Sequence, residues 1–218
     1  MDTRFWGKDG WIFLHSIAYN YNNKNDNIYK AFFKSIQHIL PCIYCRRSYK
    51  KYITENPVNT KNLPKWVYLI HNLVNDKLRD QGYEIQPNPS FKEVNEKYSN
   101  IKLCIGFDFI YCILFNYNLD ISQIRKKAYL TFFNSLKYIL HESEYTDYIT
   151  QYPLEECLEK VDKTRSLTPL KKWGHDLERC IKKRCCSFKN RCEKIEKHRV
   201  LNCIEETCRK SIKKSTNK

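Results

Sequence analysis

Apolar residues in the first eighty positions recur at helical spacing. Trp11, Leu14, His15, Ala18 and Tyr19 fall at i, i+3, i+4, i+7 and i+8, one face of a helix. Ile28, Phe32, Phe33, Ile36, Ile39 and Leu40 mark a second helix, which Pro41 ends because it lacks a backbone donor. Tyr49, Tyr52 and Ile53 carry a third as far as Asn56-Pro57. Leu63-Pro64 opens a fourth, with Trp66, Leu69, Ile70, Leu73, Val74 and Leu78 as its stripe and Gln81-Gly82 as its stop. Gln86-Pro87-Asn88-Pro89 reads as a linker. The expected fold is all-α and begins with a four-helix bundle.

Beyond the linker the pattern returns. Residues 106–118 lie over Gly10–Asn22 without a gap, with 6 of 13 positions identical, and residues 131–140 lie over Ala31–Leu40 with 5 of 10 identical. Tyr148-Ile149-Thr150 followed by Pro153 repeats Tyr52-Ile53-Thr54 and Pro57, and Lys172-Trp173 repeats Lys65-Trp66. Four matching blocks in one order predict an internal duplication of a four-helix unit. The expected organisation is a first module over 1–85, a linker over 86–99, a degenerate second copy over 100–182 and a basic, Cys-rich helical tail over 183–218. Trp11 becomes Phe107, His15 becomes Tyr111, and His71 and Asn75 fall opposite Glu178 and Lys182. Packing residues persist while polar ones go, as in a copy that keeps a fold and loses a site.

Charge and cysteine content sharpen this picture. The 218 residues carry a net charge of +15, and residues 171–218 hold 16 Lys or Arg against 6 Asp or Glu. Six of the 11 cysteines, Cys180, Cys185, Cys186, Cys192, Cys203 and Cys208, lie in that stretch as well. Such a tail suits contact with nucleic acid or another polyanion, but a solvated basic helix pair explains it better, because no base-reading motif is present. A zinc site there lacks pairs of C-x2-C spacing, so no metal is expected. An aromatic content of 14% excludes a disordered chain, and no apolar run approaches the ~18 residues of a membrane helix. The opening Met1–Trp6 segment has no apolar secretory core, which points to the cytosolic side. Many thiols without such a signal suggest redox or metal chemistry.

Cys42 and Cys45, at i and i+3 on the first turn of the third helix, are the sharpest feature. The helix N-terminus stabilises a thiolate, and Arg46 and Arg47 add positive charge. Half a zinc site is the competing reading, but no matching pair lies nearby. No βαβ pattern accompanies the motif, so an all-helical dithiol site needs a separate electron acceptor. Trp11, His15 and Tyr19 on one helix and His71, Val74 and Asn75 on another form two rows that could hold a planar aromatic ligand between them.

Gly7, Trp11-Ile12-Phe13-Leu14-His15 and Ala18, then Leu40-Pro41-Cys42-Ile43-Tyr44-Cys45-Arg46, then Trp66 and His71 through Leu78, together resemble the Erv/ALR family of FAD-linked sulfhydryl oxidases. The resemblance covers about the first 85 residues. It implies a four-helix bundle holding FAD without a covalent bond. Cys42 would accept electrons from a protein dithiol and Cys45 would face the flavin. Gly7, Trp11, His15, Tyr19, Cys45, His71, Val74, Asn75 and Lys77 would line the cofactor. The implied reaction joins two protein thiols and reduces O2 to H2O2. The Asn-, Ile-, Lys- and Tyr-rich composition suits an AT-rich genome, so the chain looks most like a member from a large DNA virus, acting in the host cytoplasm or packaged in the particle.

Three departures stand out. The family's Leu-x-Lys-Pro ending is replaced by Leu78-Arg79-Asp80-Gln81, so either Lys77 or Arg79 serves the pyrophosphate instead or that contact is lost. Its extra structural disulfide is missing, since residues 46–103 contain no cysteine. Its tail shuttle has Cys203 and Cys208 as the best-placed counterparts, with Cys180 and Cys192 next. Family members commonly dimerise through their first two helices, the segments best preserved in the second copy. Residues 100–182 are therefore expected to pack on the first module as an FAD-free pseudo-dimer partner, the runner-up being a homodimer through the first modules. The alternative function is a polyanion-binding or scaffolding protein with a vestigial oxidase site.

Overall fold

The computed structural model describes residues 3–101, 106–140 and 144–182, together with residues 192 and 195. Ten α-helices are described: α1 (Thr3–Tyr19), α2 (Asp26–Ile39), α3 (Ile43–Glu55), α4 (Leu63–Asp80), α5 (Phe91–Tyr98), α6 (Asp108–Phe115), α7 (Gln123–Ile139), α8 (Glu144–Gln151), α9 (Leu154–Thr164) and α10 (Thr168–Lys182). No strand occurs among the described residues, and no described helix is long and apolar enough to cross a membrane.

Local chemistry sets the helix ends. The Asn62 side chain accepts from the Lys65 backbone N–H at 3.2 Å and caps α4, with Pro64 in the first turn where its missing donor costs nothing. At the other end Gly82 takes φ +78°, and the Tyr83 N–H reaches back to the Leu78 carbonyl at 3.1 Å. After the break at Pro41, Cys42 in an extended conformation is the residue from which α3 starts.

The segment 86–99, expected as a bare linker, holds α5. Ser90 and Glu93 form a reciprocal capping box, which lets so short a helix begin. Val94 and Tyr98 are buried against α1 and α4, and the Tyr68 hydroxyl donates to the Pro89 carbonyl at 3.0 Å. Residues 83–90 hold no helix, as expected of a linker, but the apolar residues after Pro89 were enough to dock one more helix.

In residues 106–182 there are five described helices, where a four-helix unit was expected. The additional one is α9, capped at its C-terminus by Arg165 with φ +49°. It buries Leu154, Cys157, Leu158 and Val161. Burial pushes the Cys157 thiol up to about 11, so it stays protonated as an apolar filler.

Several contacts recur in the two halves. The Tyr49 hydroxyl donates to the Phe33 carbonyl at 3.0 Å, and the Tyr145 hydroxyl donates to the Phe133 carbonyl at 3.3 Å. The Trp66 indole donates to the Asn56 carbonyl at 3.0 Å, and the Trp173 indole to the Tyr152 carbonyl at 2.9 Å. Trp66 and Trp173 in turn meet Phe33 and Phe133 edge-on. The most extensive helix–helix contact joins the halves, α2 against α7, where fully buried Phe32 and Phe132 stack with centroids 4.9 Å apart. Each such Phe contributes roughly 1.5–3 kcal/mol by leaving water.

Close approach of α1 to α6 depends on two glycines. A Cβ at Gly10 would lie 3.1 Å from the Phe109 ring, and one at Gly106 would lie 2.8 Å from the Asp9 carbonyl oxygen and 3.0 Å from Phe13 Cβ. Gly106 also has φ +91°, which other residues rarely adopt.

Candidate functional site

A cavity of about 880 Å³ opens between α1, α3 and α4, within the size range of small-molecule and cofactor sites. Its wall is mostly apolar, with Trp11 and Leu14 from α1 and Val74 and Leu78 from α4. Cys45, Ser48 and Tyr49 face it from α3. Arg4 and Lys8 on α1 and Lys77 on α4 add positive charge. Lys77 also donates through Nζ to Ser48 Oγ, which ties α4 to α3 beside Cys45.

The two cysteines are placed differently. Cys45 lies in the first turn of α3, half-buried, and lines the cavity. Cys42 is the residue before the helix, is only 3% exposed and does not line the cavity. Cys42 is therefore reached from solvent only when its covering side chains move aside. Arg46 is half-buried close to both, its guanidinium donating to the Leu40 carbonyl at 2.7 Å, and burial lowers its pKa while the nearby Cys42 and Cys45 raise it. That cation and the α3 N-terminus both favour a thiolate at this end of the helix.

Of the residues expected at the cofactor, the cavity brings together Gly7, Trp11, Cys45, Val74, Asn75 and Lys77. His15, Tyr19 and His71 do not line it. They stand behind Trp11 in a packed series of rings. Trp11 stacks on His71 at 4.0 Å, His15 stacks on Tyr98 of α5 at 4.4 Å, and Tyr19 meets Tyr98 at 6.2 Å. Tyr98 thus occupies a ring position beside these residues. The segment read as a linker gave no sign that it would supply a stacking partner.

His15 Nε2 and His71 Nδ1 lie 3.1 Å apart, so one ring donates and the other accepts. Burial, followed by His71 and then Lys97, lowers the His15 pKa to about 3. Burial, followed by Lys97, lowers that of His71 to about 4. Both rings are neutral at physiological pH. His15 Nδ1 and the Tyr19 hydroxyl are buried with no hydrogen-bond partner among the described residues.

Asn75 is turned partly toward the loop before α5, its amide donating to Asn88 Oδ1 at 3.2 Å, while Asn88 donates to Asp76 at 2.8 Å. Arg79 pairs with Asp76 and donates to the Gln86 carbonyl at 2.9 Å. Of the two cations left for a pyrophosphate, Lys77 lines the cavity and Arg79 holds the loop.

Sequence reasoning left several wall residues unnamed, and one of them comes from the second half. Phe109 of α6 lines the same cavity and stacks on Trp6, with centroids 5.7 Å apart. Its only signal was the repeat itself, which aligns it with Phe13. Cys203 and Cys208 lie outside the described residues. Cys192 is fully buried, and its thiol donates to the Gly174 carbonyl at 3.5 Å, a position unlike that of a sulfur on a free arm.

A family model described as the Erv1/Alr family matches residues 8–99. The mitochondrial FAD-linked sulfhydryl oxidase ERV1 of Saccharomyces cerevisiae is 32% identical over 90 residues, covering 38% of this chain and 48% of the yeast protein. A probable FAD-linked sulfhydryl oxidase of Acanthamoeba polyphaga mimivirus is 35% identical over 85 residues, 34% of this chain and 59% of that protein. An FAD-linked sulfhydryl oxidase of African swine fever virus is 32% identical over 82 residues, 34% of this chain and 67% of the viral protein. The chain thus spans about half the length of the yeast relative and under two thirds of the mimivirus one. No solved structure matches the chain.

Proposed function

This chain belongs to the Erv1/Alr family, and from that premise we propose that it is an FAD-dependent thiol oxidase that forms disulfides in protein substrates while O2 is reduced to H2O2. The observation that carries this reading is the placement of Cys45, three residues after Cys42, on the wall of a cavity shared with Trp11, Val74, Asn75 and Lys77.

The residues present fit FAD. The cavity has the volume of a cofactor site and an indole face for stacking, and Arg4, Lys8 and Lys77 are placed to meet phosphate charge. His15 Nδ1 and the Tyr19 hydroxyl are buried polar atoms in want of a partner, behind the Trp11 wall where Tyr98 packs on both rings. When bound, FAD supplies a two-electron acceptor that O2 can reoxidise.

The protein's own share of the chemistry is thiol–disulfide exchange. A substrate thiolate attacks Cys42 Sγ of the Cys42–Cys45 disulfide, and Cys45 leaves as a thiolate. A second substrate thiolate attacks the sulfur of the first, which forms the substrate disulfide and expels Cys42. Two electrons then reside on the Cys42–Cys45 pair, with Cys45 facing the cavity. The positive end of α3 and Arg46 lower the cost of a negative sulfur at each stage.

The second half is a degenerate copy of the first and serves as its intramolecular partner. Support comes from the recurring hydrogen bonds of Tyr49 and Tyr145 and of Trp66 and Trp173, and from a reciprocal contact. Gly10 meets Phe109 while Gly106, its counterpart, meets Phe13, the pattern of a two-fold interface. With α7 seated on α2, a homodimer through the same helices would have to displace it. The viral relatives favour work in the host cytoplasm, on protein dithiols of that compartment.

Purified protein tests the function directly. Visible flavin absorbance, oxygen consumption with a dithiol, and loss of that consumption in Cys42→Ser and Cys45→Ser are expected. A colourless protein that takes up no added FAD would refute the reading. A flavin content of two per chain would refute the degenerate copy.

A further inference from the structure

The second half holds a cluster of ligating side chains that the oxidase chemistry does not use. His175 and Glu178, one turn apart on α10, and Cys192 beyond its end each bring a ligand atom within 4.8 Å of the others. Glu178 is 3% exposed and Cys192 fully buried, while His175 is half-buried against the Phe115 ring at 6.1 Å. The Cys192 backbone N–H points at Glu178 Oε2 at 3.4 Å, and the thiol lies on the Gly174 carbonyl at 3.5 Å.

We propose that His175, Glu178 and Cys192 form a Zn²⁺ site that fastens the chain around residue 192 to α10. An imidazole, a carboxylate and a thiol converging away from water are donors of the kinds zinc binds, and the i, i+3 spacing turns His175 and Glu178 to one side of the helix. Binding replaces the Cys192 thiol proton by the metal and releases it to solvent, with no change in oxidation state. Three protein ligands leave a fourth position for water or for one more side chain. By register along the chain, Glu178 stands where the first half has His71. The second half thus holds metal ligands at a place where the first half holds its stacked rings. Spacing rules could not find this site, because its cysteine pairs with a distant helix face instead of with a second C-x2-C.

Metal analysis of the 218-residue protein, loaded with zinc and then desalted, is the test. About one zinc per chain is expected, falling at least about tenfold in His175→Ala and in Cys192→Ser. Glu178→Gln keeps the side chain's shape and should also weaken retention. Cobalt in place of zinc should give a thiolate-to-metal absorption band that Cys192→Ser abolishes. Circular dichroism and flavin absorbance report whether each variant folds. A chelator should lower the melting temperature of the parent and leave that of Cys192→Ser unmoved. Absence of bound zinc in the parent overturns the proposal. So does zinc retained undiminished in His175→Ala and Cys192→Ser, which would assign it to other tail cysteines.

Discussion

Phe109 stacks on Trp6 with ring centroids 5.7 Å apart, and both rings line the cavity into which Cys45 faces. A residue of the second half therefore forms part of the wall of the first half's site. Phe109→Leu keeps the core filled but removes the ring contact, which is worth ~1 kcal/mol. Flavin should be held about fivefold more weakly, as measured by titration of the apoprotein, with the melting temperature lowered only slightly. Unchanged affinity would make Phe109 mere packing.

Cys42 and Cys45 predict a split between binding and turnover. Cys45→Ser should lose oxygen consumption with any dithiol while flavin absorbance remains, because the serine fills nearly the same space on the cavity wall. Cys42→Ser should lose turnover with protein dithiols in the same way. Stability should shift by no more than about 1 kcal/mol in either. Retained turnover in Cys45→Ser would remove this sulfur from the electron path.

The His15–His71 pair sets an acid limit. Both folded-state pKa values lie below the ordinary imidazole value of 6.5, near 3 and 4. The unfolded chain therefore binds more protons between about pH 6.5 and pH 3, and stability falls as the pH is lowered through that window. Above pH 6.5 the contribution is fully present. Denaturant titrations from pH 7.5 to pH 4.5 should show the decline, and a variant with both rings replaced by Gln should show a shallower one.

The contact between the halves predicts cooperative unfolding. Phe132→Ala empties a fully buried site against Phe32 and should cost ~3–5 kcal/mol. Because Ile36 of α2 and Leu40 just after it line the cavity, flavin should dissociate in the same transition. A first half that keeps its flavin after the second has melted would contradict this.

Gly106 should tolerate no side chain. An added Cβ meets the Asp9 carbonyl at 2.8 Å while the backbone sits at φ +91°, so Gly106→Ala should destabilise by ~1–3 kcal/mol. Gly7, with nothing near its missing Cβ, is the control and should lose far less.

Some of this was legible in the residues. The stripes of α2 and α4, their stops at Pro41 and Gly82, and the cysteine pair at the start of α3 are local matters, decided within a turn or two of the chain. Periodicity and capping chemistry therefore determined them. Tertiary packing decided the rest. It set Tyr98 on His15, put Phe109 in the cavity wall, kept His71 behind Trp11 and brought Cys192 to Glu178. Each joins residues from separate elements, and which faces meet depends on how the helices pack together, which no single stretch of sequence specifies.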